Sequence, residues 1–313
     1  MAATTHDPTL ITLQSLGGDP RRARKEAFIR AVFFGAASLS ILISTLIVFS
    51  LAREAWTFIS QVELSALWTS GWFPRRGLYD ILTLVVGSAL VTGIAILVAG
   101  PIGMGAAIYL SEYAKPRARR VLKPMLEILA GIPSVVLGFF ALTVISPDII
   151  QRINPDAQLF NLAAAGIGVG ILTIPLIASI AEDAMRSVPN SLREASYGMG
   201  ARKVTTSVRV VIPAAVSGLV AAFLIAFSRA IGETMVVFIA AGAGGGSARN
   251  FDIFSAGQTM TAAMASLAAG TDQVRGAGLT FQSLFFVGAL LFLITLTLNL
   301  VAGRFVRRVR QKY

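Results

Sequence analysis

Long apolar runs separated by short polar segments dominate this chain. The runs cover about residues 31–52, 80–110, 125–146, 160–182, 214–242 and 277–303. Each matches or exceeds the ~20 residues a helix needs to cross a hydrocarbon core of ~30 Å. A buried helix of a soluble protein could explain one such run but not a series of them. The pattern predicts an all-α integral membrane protein with six transmembrane helices and both ends on one side. The first run is too long for a secretory leader and has no small-residue cleavage signal, so it reads as a retained span.

The polar segments fix the orientation. With the N-terminus in the cytoplasm, the inner segments are 1–30, 112–124, 183–213 and 304–313. Each holds five Lys or Arg residues, 20 in total. The outer segments hold six: Arg53, Arg75, Arg76, Arg152, Arg249 and Arg275. Positive charge is enriched on the cytoplasmic side of such proteins, so the topology is N-in and C-in. The expected division is a cytoplasmic tail at 1–30, a first helix with its outer loop at 31–79, a five-helix transmembrane domain at 80–303, and a basic tail at 304–313.

Composition narrows the chemistry. Hydrophobic residues make up 55% and charged residues 14%, with a mean hydropathy of +0.73. A soluble domain carries about 25% charged residues. The net charge of +11 follows from topology and calls for no nucleic acid. Cysteine is absent and His6 is the single histidine, in a polar tail, so no metal site or cofactor is expected. Each of the five lysines follows a residue other than glycine. A phosphate-cradling Gly-Lys-Ser/Thr ending is therefore missing, and the chain has no Walker A nucleotide site of its own.

Several features have plain explanations. Trp56, Trp68, Trp72 and Phe73 in the outer loop read as headgroup-level anchors. "AGGGSARN" follows a membrane helix rather than a strand, so it reads as a connection and not a dinucleotide fingerprint. Pro133 and Pro175 interrupt backbone bonding inside two spans, as a packing kink or as part of a pathway. Gly131 and Gly138 flank the first of these breaks and allow close helix approach.

The longest inner connection, "EDAMRSVPNSLREASYGMGARKVTTSVRVVIPAAV", contains a short helix of its own (the loop is about 183–213). Ser191 and Glu194 form an S-x-x-E capping pattern, and Gly198 and Gly200 stand where that helix stops. The wider spacing runs Glu194-Ala195-Ser196, three residues, Gly200, nine residues, then Val210-Val211-Ile212-Pro213. It resembles the EAA loop of ABC importer permeases, E-A-A-x-x-x-G followed nine residues later by I-x-L-P. That resemblance implies docking into a groove on a separate ATPase. Small Ala195, Ser196 and Gly200 permit close approach, while Arg193, Glu194, Arg202 and Lys203 offer charges for the groove's rim.

The run "FLIAFSRAIGETMVVFI" holds two charges, Arg229 and Glu233, near the middle of its span. Each costs about 2.5–3.5 kcal/mol at mid-bilayer on insertion scales. Four residues apart, they share one face of a continuous helix, so a self-neutralising pair is the plain reading. Arg before Glu is the weaker order for such a pair. A guanidinium also presents a planar fork of donors suited to phosphate oxygens. An anion pathway is the sharper reading. In it Glu233 pairs with Arg229 when the site is empty and accepts a hydrogen bond from a protonated phosphate. Thr234 adds a hydroxyl.

"SRAIGETMVV" resembles the R-A-[IL]-G-E-T segment of phosphate ABC-importer permeases, the PstC and PstA families. "GPIGMGAAIYLSEYA" (100–114), "LEILAGIPSVVLGFFAL" (126–142), "FSAGQTMTAAMA" (254–265) and "SLFFVGALLFLITLTLN" (283–299) extend the likeness, closer to PstC. The glycine-rich insert at 242–246 departs from it. The resemblance implies a type I (MetI-like) importer fold in a bacterial cytoplasmic membrane. It implies phosphate-pathway roles for Arg229 and Glu233, with Ser134 a further candidate, and ATPase contact from Glu194 to Gly200. It also implies a PstA-like permease partner, a PstB-like ATPase dimer and an extracytoplasmic PstS-like phosphate-binding protein. Rival readings are a permease for another oxyanion or phosphonate, an ion-coupled secondary transporter with Glu233 as proton carrier, and a membrane sensor that moves nothing.

Overall fold

The computed structural model describes residues 20–68, 71–242, 251–269 and 279–309. The glycine-rich connection from 243 on, Arg249, Arg275, His6 and the last four residues lie outside them. Among the described residues six helices are long and apolar enough to cross a membrane. The chain divides into two compact units, Met1–Arg53 and Glu54–Tyr313. Most of α1 (Pro20–Gln61) belongs to the first. In that unit Phe33, Phe34, Ile41 and Ile47 are exposed, which suits a helix surrounded by hydrocarbon.

In the second unit the chain leaves α1 through a small outer cap. Strands β1 (Trp72–Phe73) and β2 (Leu78–Tyr79) pair antiparallel around a turn at Gly77, whose φ is +74. Trp72, expected as a headgroup anchor, is instead buried against Tyr79, which also meets Phe58 edge-on. The hairpin folds the indole inward, whereas Trp56 and Trp68 remain exposed. Asp80 caps the next helix, accepting from the Leu82 N–H at 3.3 Å and the Thr83 hydroxyl at 2.7 Å.

That helix is α2 (Ile81–Ile108), extended by a π-helical turn at Tyr109–Tyr113. Next comes α3 (Pro116–Ala130), where the expectation of a span from about 125 fails. α3 is amphipathic and ends at Gly131, and the crossing helix runs Ser134–Ile153. Pro133 explains the boundary: its nitrogen has no proton and its ring excludes a preceding helical turn. The crossing comprises α4 (Ser134–Phe140), a π-helical stretch Ala141–Ile150 and α5 (Gln151–Ile153). Pro175, by contrast, lies inside an unbroken α6 (Leu162–Arg186), which Asn161 caps through the Ala164 N–H at 2.7 Å.

On the inner side, α7 (Asn190–Gly198) and α8 (Lys203–Thr206) lead through a π turn at Ser207–Val211 into α9 (Ile212–Ile231). The expected fifth span, 214–242, is therefore shifted: the crossing helix is Lys203–Ile231. It breaks at Gly232 and resumes as the short α10 (Met235–Ala240). α11 (Met260–Ala268) and α12 (Thr280–Val309) complete the chain.

Lipid supplies no hydrophobic drive between helices, so close approach of backbones must hold the bundle. α2 and α6 form its central pair. A β-carbon on Gly166 would fall 2.7 Å from the Ile94 side chain, one on Gly170 3.0 Å from Val98, and one on Gly103 2.9 Å from Ile177. Overpacking such a seam costs about 1–3 kcal/mol or more. Gly166→Leu should therefore lower the midpoint of thermal unfolding in detergent. Gly105→Leu should leave it unchanged, because nothing lies within 4 Å of that position. Equal melting of both variants would contradict this packing.

Candidate functional site

The break in the fifth span organises the centre of the molecule. α9 ends at Ile231 with Gly232 as its cap residue, and α10 begins at Met235. The α10 N-terminus exposes N–H groups with no helical partner. Glu233 turns to meet them. Its Oε1 accepts from the N–H groups of Thr234 and Met235 at 3.2 Å and of Val236 at 3.5 Å. The Thr261 hydroxyl donates to the Glu233 carbonyl at 2.7 Å, so α11 pins the break from the other side. Among the described residues the Thr234 hydroxyl reaches only the Gly232 carbonyl, at 3.4 Å.

The expected Arg229–Glu233 pair does not form. Residues four apart face each other only on an unbroken helix, and here the helix stops between them. The carboxylate becomes a cap, and among the described residues no hydrogen bond or ion pair reaches Arg229. The level of Arg229 in the bundle follows from its packing neighbours. A β-carbon on Gly218 would strike Ala184 near the inner end of α6, Ala226 packs with Ile177, and Gly168 faces Val236. Arg229 thus lies level with the middle of α6.

Arg229 lines a cavity of about 420 Å³ together with Leu172, Pro175 and Ser179 of α6 and Lys123 and Glu127 of α3. One water occupies about 30 Å³ in the liquid, so a small oxyanion fits with part of its hydration shell. A guanidinium offering its full fork of donors there can replace the water an anion loses. Ser134 does not line this cavity. It starts α4, one turn before Gly138, whose β-carbon would meet Ile239 and the Met235 carbonyl at 3.1 Å. That register sets Ser134 level with the Gly232–Thr234 break.

The cavity wall also carries an ion-pair network that the sequence pattern did not suggest, centred on Glu182. Glu182 is fully buried at the inner end of α6. Its Oε1 meets Arg119 Nε at 2.7 Å, and its Oε2 meets Lys123 Nζ at 2.9 Å. Lys123 also reaches Asp183 at 2.8 Å. The bond to Asp183 above all, with that to Glu182, holds Lys123 above the usual lysine pKa against the opposing effect of burial. Lys123 therefore stays cationic at physiological pH. The visible trace was the i, i+4 spacing of Arg119 and Lys123, one face of a helix, but nothing local named the carboxylates about 60 residues away.

The inner loop shows a second departure. The helix of the E-A-A-like motif starts at Asn190 with Pro189 as its cap residue, so Ser191 is inside it and the expected capping box is absent. The stop falls as expected: Met199 caps the helix and Gly200 takes φ +80. Arg193 faces its own membrane domain rather than a rim. It contacts Glu112 Oε1 at 2.9 Å, the Met185 carbonyl at 2.8 Å and the Val188 carbonyl at 2.7 Å. This locks α7 to the inner ends of α2 and α6, and Leu192 packs onto the apolar cluster of Ala181, Met185 and Val211. The Ser196 and Thr206 hydroxyls lie 2.9 Å apart and join α7 to α8. Lys203 sits over the Tyr113 ring at 5.0 Å. Glu194, Ala195 and Gly200 remain exposed, beside Met199 at 89% and Val204 at 62% exposure. A rigid stub with an apolar, partly acidic outer face is suited to seating in a groove and moving the helices to which it is fixed.

Comparisons with known proteins agree with this architecture. Residues 99–312 match the family described as binding-protein-dependent transport system inner membrane component. The chain is 30% identical over 308 residues, 92% of each chain, to the phosphate transport system permease protein PstC of Mesorhizobium japonicum. It is 29% identical to PstC of Pasteurella multocida over 84% of this chain and 86% of that one. The probable ABC transporter permease protein YqgH of Bacillus subtilis is 39% identical over 57% of this chain, and the match spans 58% of that protein. Among solved structures, a bacterial ABC transporter involved in the import of the acidic polysaccharide alginate aligns with 93% of this chain and 100% of its own, at TM-score 0.64 and 14% identity. The inward-facing MetNI methionine ABC transporter aligns with 73% of this chain and 97% of its own, at TM-score 0.53 and 21% identity. At such identities these structures speak for the fold alone.

Removing Arg193 leaves the nearly buried Glu112 carboxylate, 3% exposed, without its cation. Breaking a buried pair by one partner costs about 3–5 kcal/mol. Arg193→Ala should sharply reduce the folded fraction recovered in detergent, and Glu112→Gln in the same chain should restore part of it. A single variant as stable as the wild type would remove the anchoring role.

Proposed function

The chain belongs to the family of binding-protein-dependent transport system inner membrane components, and we propose that it acts there as the PstC-type permease subunit of an ATP-driven phosphate importer. It is a multi-pass membrane protein and a permease component; members of its family work with an ATPase and a substrate-binding protein. The finer assignments are our own: a PstA-like second permease, a PstB-like ATPase dimer beneath, a PstS-like protein delivering phosphate from outside, and the bacterial cytoplasmic (inner) membrane as the site. We assign residues 80–303 to translocation and 304–313 to a basic inner tail.

The observation that carries the reading is Arg229: a permanent cation level with the middle of α6, lining a cavity and meeting no partner among the described residues. Such a charge is costly in a membrane, and a travelling anion offsets that cost. Glu233 shapes the site as the cap that holds the break open, and its remaining lone pairs can accept from a protonated phosphate. Thr234 and Ser134 border the same break as further pathway residues. Motion reaches this site from below. ATP-driven closure of the motor swings α7, and Arg193 transmits the swing to the inner ends of α2 and α6, the latter a wall of the cavity. Glu194, Ala195, Ser196 and Gly200 form the docking face. This chain performs no covalent chemistry.

In proteoliposomes holding the assembled transporter, Arg229→Gln should slow phosphate uptake by about tenfold or more, roughly 1.4 kcal/mol of lost stabilisation. Unchanged uptake would withdraw the anion role. Arsenate should compete with phosphate while sulfate and molybdate should not; sulfate competition would redirect the assignment to another oxyanion. Glu194→Arg should leave the chain in the membrane yet abolish ATP-coupled uptake. Full transport with the ATPase still co-purifying would show that α7 is not the coupling element.

A further inference from the structure

A second cavity, of about 460 Å³, opens on the inner side of the first. Its walls carry Arg119, Arg120 and Lys123 of α3, Arg186 at the end of α6, and Ser111, with Glu127 the only carboxylate among the described lining residues. Leu110, Lys123 and Glu127 line both cavities, so the two are adjacent, with Arg229 in the wall of one and Arg120 and Arg186 in the wall of the other. The four cations are not equivalent. Arg119 and Lys123 are fixed from behind by buried Glu182. Arg120 and Arg186 are exposed, and neither has a hydrogen bond or ion pair among the described residues. The site is therefore built of two anchored cations at its back and two available guanidinium forks at its front.

We propose that this inner cavity is a second phosphate-group site, distinct from Arg229, at which an anion leaving the membrane pauses before release. Guanidinium forks take phosphate oxygens two at a time. A concave wall in which positive charge predominates also raises the local concentration of anions. Lys123, common to both cavities, passes the anion from one to the other. It can trade the exposed Asp183 carboxylate for the anion while still held by Glu182. That phosphate is the travelling anion rests on the function proposed above. The chemistry of the inner site does not, because a phospholipid headgroup at the membrane rim presents the same oxygens.

The test maps arginine reactivity in the full transporter, held in nanodiscs without nucleotide. Phenylglyoxal labels accessible guanidinium groups, and mass spectrometry locates the adducts. In zwitterionic lipid, added inorganic phosphate should slow labelling of Arg120 and Arg186 several-fold and leave Arg117, outside the cavity, unaffected. The same protection should persist in Arg229→Gln. Protection seen only when anionic phospholipid replaces the zwitterionic lipid would keep the site and identify a headgroup as its occupant. Labelling unmoved by either phosphate source, or slowed equally at Arg117, would overturn the proposal. The measurement needs no transport: protection without phosphate uptake would sink the proposed function alone, and uptake without protection would sink this inference alone.

Discussion

The fifth crossing helix stops at Ile231, and the backbone hydrogen bonds it leaves open need partners. In hydrocarbon every freed backbone group must be satisfied within the protein. Here a carboxylate that looks like the partner of an arginine is recruited as a helix cap instead. Glu233 closes the start of α10, Thr261 closes the carbonyl side, and α4 packs its Gly138 flush against α10. The break is thus a fixed feature of the bundle rather than a weak point. Its consequence is electrostatic: Arg229 is left with its charge uncompensated by its nearest acidic neighbour in sequence.

The same logic, with opposite outcome, governs the inner surface. There the buried acidic groups are matched by cations. Glu112 holds Arg193, and Glu182 holds Arg119 and Lys123. Replacing such pairs by apolar residues is often neutral for stability, so their value lies in fixing geometry. One pair couples the exposed α7 to α2 and α6. The other fixes α3 to α6 in the cavity wall. The carboxylates occupied at the inner end therefore fix α7 and α3 to the bundle, and Arg120 and Arg186 are left exposed beside them.

The sequence reading failed where a single residue decided whether a helix continued. Pro133 and Gly131 turn a seemingly continuous run into an amphipathic α3 and a later crossing. Gly232, with no bulky residue to force helix onward, does the same between Arg229 and Glu233. Apolar composition is an average over a window and passes over such points. Trp72 failed for a related reason: its burial depends on a hairpin whose partner strand lies six residues on. The glycine stops were legible, since Gly200 at φ +80 is a conformation that other residues rarely adopt.

What the sequence determined by itself is what lipid imposes on any chain: the number of crossing helices, the charge asymmetry that orients them, and the presence of a permanent cation within one of them. Those are set by solvent transfer, which acts residue by residue. Tertiary structure alone decided which charges are partnered. The pairs 112–193 and 119–182 join residues far apart in the chain, while the near pair 229–233 is undone by a local break. Hydrogen bonding depends on direction and reach, and both are defined only once the helices have been stopped, tilted and packed.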